Sequence, residues 1–253
     1  MKRIVLITGV FGGIGYETAR VFKENGWIVV GIDKYEGKDT NRLIDVFVNR
    51  DCSKYESIEN VKEIIEDKYG QLNCLVNNAA IQVCESIDNT TEAQWDMVFQ
   101  SNIRANFLFI KYLHGLLKRG KGSVVNISSV HAMATSKNIS AYAASKGAIL
   151  AFTRSTALEF ADDGIRVNAV LPGAVDTNML REGLKRGNFG GANIEKRIEN
   201  LGIKTPYKKV GLPSEIAKVI YFLGDSEWSS YITGQSLVAD GGVLAQLSSE
   251  VDG

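Results

Sequence analysis

The chain is poor in several residue types. Its 253 residues include only three cysteines, three prolines and two histidines. Cys52, Cys74 and Cys84 are odd in number and lack metal-ligand spacing. They exclude a disulfide scaffold and a zinc centre and are expected as free thiols in a reducing compartment. No His/Cys/carboxylate cluster has metal spacing either, so no metal is expected. Charge of one sign is missing: 29 basic residues balance 29 acidic ones. Nothing in that balance points to a nucleic-acid or anionic-membrane partner, and none is expected. No apolar run is long enough to span a bilayer. The run behind Lys2 and Arg3 stops at Gly9, too short for a secretory leader. A cytoplasmic location is the expectation. No Pro/Ser/Gly-rich linker interrupts the pattern, so residues 1–253 are expected to form one domain.

What the chain does have is alternation. Hydrophobic residues make up 45% of it, enough for a sizeable core. Apolar β-branched runs predict strands at 3–7, 28–32, 45–48, 74–77, 122–127, 166–171 and 236–238. Helical periodicity predicts helices at 13–25, 57–69, 91–117, 141–160 and 213–223. Such alternation predicts βαβ units in an α/β, doubly wound, Rossmann-type parallel sheet of about seven strands, with helices on both faces. Two connections depart from the average. Residues 33–45 leave little room for a crossover helix. Residues 178–207 are long for a connection and contain Gly183, Gly187, Gly190 and Gly191. They are expected to be a substrate lid with a short helix near 194–201.

The first predicted strand runs into Thr8-Gly9-Val10-Phe11-Gly12-Gly13-Ile14-Gly15 and then into a helical pattern. Strand, glycine turn and helix amino terminus together make a pyrophosphate site, because glycines allow close backbone approach and the helix presents free N–H groups. Gly9, Gly13, Ile14 and Gly15 are the expected cofactor contacts there. Asp33 ends the second strand, where a carboxylate accepts from adenosine ribose hydroxyls and repels an added phosphate. It argues for NAD over NADP, although the adjacent Lys34 works the other way. Further along, Tyr142 and Lys146 stand one helical turn apart and share a face. A neighbouring ammonium lowers a phenol's pKa and makes it a usable acid or base near neutrality.

With these motifs come Asn77-Asn78-Ala79-Ala80, Asn102, Ser129, Pro172-Gly173 and Asp240-Gly241-Gly242, in order and over nearly the whole chain. Together they resemble the classical short-chain dehydrogenase/reductases, with Ala80 where that family usually has Gly. The resemblance implies a set of roles. Ser129, thirteen positions before Tyr142, is the catalytic serine, and Ser128 is structural. Asn102 holds a water near Lys146 and passes the proton on. Asp51 and the backbone of Cys52 contact adenine. Asn78 and Ala79 line the cofactor site. Pro172, Gly173, Val175 and Thr177 border the nicotinamide carboxamide. Lys146 also hydrogen-bonds the nicotinamide ribose.

The expected activity is hydride transfer between a secondary alcohol and NAD, with Tyr142 as general acid/base. Gln82, His131, Asn138 and Asn178 offer a polar rim suited to a sugar or polyol, and the stretches 128–142 and 194–198 are similar to aldose and glucose dehydrogenases of the family. Reduction of 3-oxoacyl thioesters and a non-catalytic dinucleotide sensor or scaffold are left open. The resemblance also implies a homotetramer built on the Tyr142 helix, whose Ala141, Ala144, Ala148, Ala151 and Ser155 allow close approach.

Overall fold

The computed structural model describes residues 2–37, 40–186 and 193–247. Seven strands form one sheet: β1 (Ile4–Thr8), β2 (Ile28–Asp33), β3 (Val46–Asn49), β4 (Cys74–Asn77), β5 (Ser123–Ile127), β6 (Arg166–Pro172) and β7 (Ser236–Ala239). Every pairing is parallel, in the order β3-β2-β1-β4-β5-β6-β7. The chain winds outward from β1 to β3, then crosses back to β4 and winds the other way. The crevice between β1 and β4 is the topological switch point at which ligands enter such sheets.

Both faces of the sheet are buried, and the period-two alternation of the strands sorts side chains between two cores. Ile4 and Leu6 of β1 join Val30, Ile32, Leu75 and Val124 on one face. Val5 and Ile7 join Val29, Val76 and Val125 on the other. Helices α1 (Gly13–Glu24) and α9 (Pro213–Gly224) cover the second face through Phe22, Ile216 and Ile220. Helices α3 (Tyr55–Tyr69) and α5 (Ala105–Gly120) cover the first through Ile58, Ile65, Leu113 and Leu117. Each such fully buried aliphatic contributes about 1.5–3 kcal/mol. Trp27 is core, whereas Trp95 and Trp228 are exposed. No helix among the described residues is long and apolar enough to cross a membrane.

The sheet and the short second crossover, α2 (Thr40–Leu43), match expectation. One helix does not. The region expected as one helix at 91–117 is α4 (Glu92–Phe99), then a π-helical segment (Gln100–Arg104), then α5. Thr91 and Gln94 cap α4 reciprocally. Asn102, in the middle of the bulge, is buried, and its side chain bonds sideways to distant segments. π turns of this kind concentrate at functional sites. Helix α6 (Ser140–Glu159) carries Tyr142 and Lys146. After β6 come α7 (Asn178–Arg186) and α8 (Ile194–Ile203), two helices where one was expected. Gly187, Gly190 and Gly191 of the expected lid lie outside the described residues. A short helix, α10 (Ser226–Ser229), precedes β7.

Candidate active site

The glycine turn is shaped to admit a phosphate. Gly9 has φ +64°, and a Cβ there would sit 2.9 Å from the Ala79 Cα. A Cβ on Gly15 would lie 2.2 Å from the Gly9 carbonyl oxygen. Only glycine fits at these two positions. Gly12 caps α1 without a side-chain hydrogen bond, so the first-turn N–H groups face the crevice. A dinucleotide pyrophosphate fits this cradle. Thr8 holds the opposite wall. Its Oγ1 accepts the N–H groups of Asn78 and Ala79, each at 3.0 Å. The Asn78 amide in turn donates to the carbonyls of Thr8 and Gly9, at 3.0 and 2.9 Å. Asn78 therefore locks the turn through its side chain. Asn77 is buried and donates to Asn126 at 2.8 Å.

At the adenosine end, Asp33 is buried, and both its oxygens already accept backbone donors. Oδ2 takes the Phe11 N–H at 3.0 Å and Oδ1 the Tyr35 N–H at 3.1 Å. Each oxygen keeps a second lone pair for a ribose hydroxyl. The Lys34 ammonium lies over the Tyr35 ring, 5.0 Å from its centroid. Asp51 accepts the Ser53 N–H at 2.9 Å. Partial burial works to raise its pKa, but the Ser53 N–H and hydroxyl, with Lys34 and Lys54, outweigh this and hold it below the ordinary carboxylate value. Burial pushes the Cys52 thiol up to about 12, so it is inert as a nucleophile.

At the other end, Val175 bridges to Gly211. The bridge uses the Ala174 carbonyl and the Asp176 N–H, at 2.9 Å each. In extended chain this turns the main-chain groups of Val175 itself to the opposite edge. Thr177 caps α7 through the Leu180 N–H at 3.3 Å. A Cβ on Gly13 would lie 3.1 Å from its methyl group. Gly173 packs so closely on Asp240 that a Cβ would lie 2.8 Å from the Asp240 Cα. Pro172 ends β6.

Ser129, Tyr142 and Lys146 converge at the carboxyl ends of β5 and β6. All three are buried. The Ser129 hydroxyl lies beside Tyr142, where it works to lower the phenol's pKa, and it accepts the His131 N–H at 3.2 Å. Ser128 turns away and donates to the Lys146 carbonyl at 2.8 Å. Lys146 Nζ donates to the Ile127 carbonyl at 2.7 Å. Burial lowers the Lys146 pKa to about 7. The Tyr142 phenol departs from expectation. Burial raises it to about 12, and the Ser129 hydrogen bond opposes this only in part. Desolvation is the largest influence, and a charge on Cys84 works in the same direction.

Asn102 is buried and fully engaged. Its amide donates to the Ile81 carbonyl at 2.9 Å and to Ser145 Oγ at 3.0 Å, and its oxygen accepts the Ile81 N–H at 2.8 Å. Ser145 donates back to the Tyr142 carbonyl at 2.7 Å. Asn102 thus ties α6 to the loop after β4.

The expected rim is only partly assembled. His131 packs edge-on to Tyr142 with ring centroids 6.0 Å apart, and burial lowers its pKa. Gln82 reaches α7 and donates to the Met179 carbonyl at 3.1 Å. Asn178 lines a cleft of about 420 Å³ with Gly13 and Thr177, at the glycine turn and away from Tyr142. Asn138 is exposed, in left-handed backbone with φ +65°. A larger cleft of about 620 Å³ runs from Lys34 and Asp51 past Gln82 and Cys84 to α4. Cys84 was not anticipated. Its thiol is near enough to Tyr142 that a thiolate there would raise the phenol's pKa. Nothing in its sequence spacing marks it.

Known proteins match this arrangement over almost its full length. A family model described as enoyl-(acyl carrier protein) reductase matches residues 9–244. The chain is 34% identical over 257 residues to the glucose and ribitol dehydrogenase homolog 2 of Arabidopsis thaliana, covering 96% of this chain and 86% of that one. The ligand-free aldohexose dehydrogenase of Thermoplasma acidophilum superposes with a TM-score of 0.93 at 30% identity, over 100% of this chain and 98% of the other. A structure of ElxO with NADP bound superposes with a TM-score of 0.85 at 31% identity, over 97% of this chain and 100% of the other. With its seven-stranded parallel sheet, its glycine turn and the length of these matches, the chain belongs to the short-chain dehydrogenase/reductase family of oxidoreductases.

Proposed function

We propose that the protein oxidises a secondary alcohol, a sugar or polyol, at the expense of NAD, with Tyr142 as the proton carrier. The observation that carries this reading is the buried trio Ser129, Tyr142 and Lys146, with Lys146 one turn beyond Tyr142 on α6 and its Nζ 5.4 Å from the Tyr142 ring centroid. Bound along the glycine turn and the Val175–Thr177 loop, an oxidised nicotinamide dinucleotide supplies the hydride acceptor and a positive charge. Ser129 donates to the substrate oxygen and fixes it beside Tyr142. Tyr142 takes the hydroxyl proton in oxidation and returns it in reduction. Lys146, when charged, favours the phenolate. Asn102 has no free amide donor, so a proton relay there would have to use its main chain. Its side chain instead positions Ser145 and Ile81.

Asp33 supports NAD over NADP. A buried carboxylate at the end of β2 would repel a 2′-phosphate, and the neighbouring Lys34 ammonium lies over the Tyr35 ring. Similarity to an aldohexose dehydrogenase and to a glucose and ribitol dehydrogenase homolog supports the sugar or polyol class, and His131 beside Tyr142 supplies a polar wall. A homo-oligomer is part of the same proposal, a tetramer in its full form. Ala144, Ala151 and Ser155 on α6 are exposed, Leu158 is 81% exposed, and Phe107 on α5 is 44% exposed, whereas Ala141 is buried within the chain.

The deciding experiment measures NADH formation over aldoses, polyols, hydrophobic secondary alcohols and hydroxyacyl thioesters. Turnover of aldoses or polyols is expected. Turnover confined to thioesters or hydrophobic alcohols would overturn the substrate class and leave the dehydrogenase reading intact.

A further inference from the structure

We infer that Gln82 is a positioning residue that latches helix α7 to the loop after β4, and that Gly183 lacks a side chain to make room for the latch. This rests on the proposed dehydrogenase reading for its kinetic consequence only. Gln82 follows Ile81, whose N–H and C=O are both held by the Asn102 amide, at 2.8 and 2.9 Å. The base of the latch is therefore as rigid as the buried Asn102. From it, Gln82 Nε2 reaches the Met179 carbonyl in the first turn of α7, at 3.1 Å. One turn on, a Cβ at Gly183 would lie 2.6 Å from that same Nε2. The amide lies flat against bare helix backbone, and any side chain at 183 would push it off.

Helix α7 needs such a tie. At its amino end Thr177 caps it. On its other side Arg181 forks onto Asp176, at 2.7 and 2.9 Å, and reaches Glu195 of α8 at 2.6 Å. These bonds join α7 to its own chain neighbours, the loop before it and α8 after it. Gln82 joins it to the scaffold that holds Tyr142, through the path Tyr142–Ser145–Asn102–Ile81–Gln82. The cleft behind Gln82 also carries Cys84, the thiol beside Tyr142. Releasing the latch would free α7 from the loop that borders the Cys84 cleft and loosen the wall proposed to hold the alcohol, while leaving the proton chemistry untouched.

The test is hydrogen–deuterium exchange of residues 178–186 in the full chain, with steady-state kinetics, on wild type, Gln82→Ala, Gly183→Ala and the double variant. Alanine is intrinsically the better helix former, so Gly183→Ala on its own merits slows exchange. In the wild-type background we expect the opposite, faster exchange, because the methyl displaces Gln82. In the Gln82→Ala background we expect the sign to reverse. Gln82→Ala alone should speed exchange about five- to tenfold, as for one lost hydrogen bond, and raise the alcohol KM by a similar factor with kcat changed less than about threefold. Unchanged α7 exchange in Gln82→Ala, the same Gly183→Ala effect in both backgrounds, or faster exchange with an unchanged alcohol KM would each overturn the latch. If wild type turns over no alcohol, the dehydrogenase reading fails, and the exchange measurements alone still decide whether Gln82 holds α7.

Discussion

The ammonium of Lys146 sits 5.4 Å from the centroid of the Tyr142 ring and donates to the Ile127 carbonyl at 2.7 Å, with water excluded from both residues. The two groups are poised against their ordinary ionisation, the amine toward neutral and the phenol toward protonated. A cationic ligand in the crevice tips such a pair toward phenolate, because opposite charge is strongly felt in a desolvated site.

Tyr142→Phe keeps the ring and its packing but removes the proton carrier. Turnover should fall about 10²–10⁴-fold, with NAD affinity by calorimetry changed little. A Phe variant that turns over like wild type would remove Tyr142 from the mechanism.

Lys146 makes stability depend on pH in the protein without cofactor. Its folded pKa is about 7, against 10.5 for the ordinary side chain. Between these values the unfolded chain binds more protons, so stability rises with pH across that window, and the full penalty is present below it. Lys146→Met should therefore be more stable than wild type at pH 6, by an amount on the order of a few kcal/mol. The gap should narrow steadily toward pH 10. Urea melts at several pH values measure it, and a pH-independent difference would mean that Lys146 keeps its ordinary pKa.

Asp33→Ala removes a ribose acceptor and a phosphate repellent, and it also strands two backbone donors, the N–H groups of Phe11 and Tyr35. It should improve the NADP to NAD ratio of kcat/KM while lowering the melting temperature, with a cost of about 1–3 kcal/mol for each donor left buried. Asp33→Asn retains an acceptor and should restore part of the stability. An unchanged ratio in both variants would show that Asp33 serves the turn alone.

Leu158→Glu places a charge on an exposed apolar position of α6, 81% accessible in the single chain. If copies pack through this face, the variant should shift toward smaller species in light scattering at micromolar concentration, with the monomer fold unchanged by circular dichroism. Wild type running as a monomer would end the oligomer proposal.

Much of this protein was legible in the chain itself, for a local reason. Period-two and 3.6-residue patterns are properties of neighbouring residues, so seven strands and most helices could be placed to within a few positions. The turn at Gly9–Gly15 was equally legible, because it needs backbone that only glycine allows. Tyr142 and Lys146 were readable as a pair because one helical turn brings them to one face. The remainder depended on contacts between distant segments. Nothing local marks 100–104 as π-helical; the Asn102 amide bonds Ile81 and Ser145, 21 and 43 positions away. Nothing local shows that the Gln82 amide also binds α7, 97 positions on. The same holds for Tyr142, whose pKa spacing along α6 predicts to be lowered and burial raises. Spacing determines which groups can meet, but only the folded surroundings decide how much water is taken from them, and desolvation is the largest influence on the Tyr142 phenol.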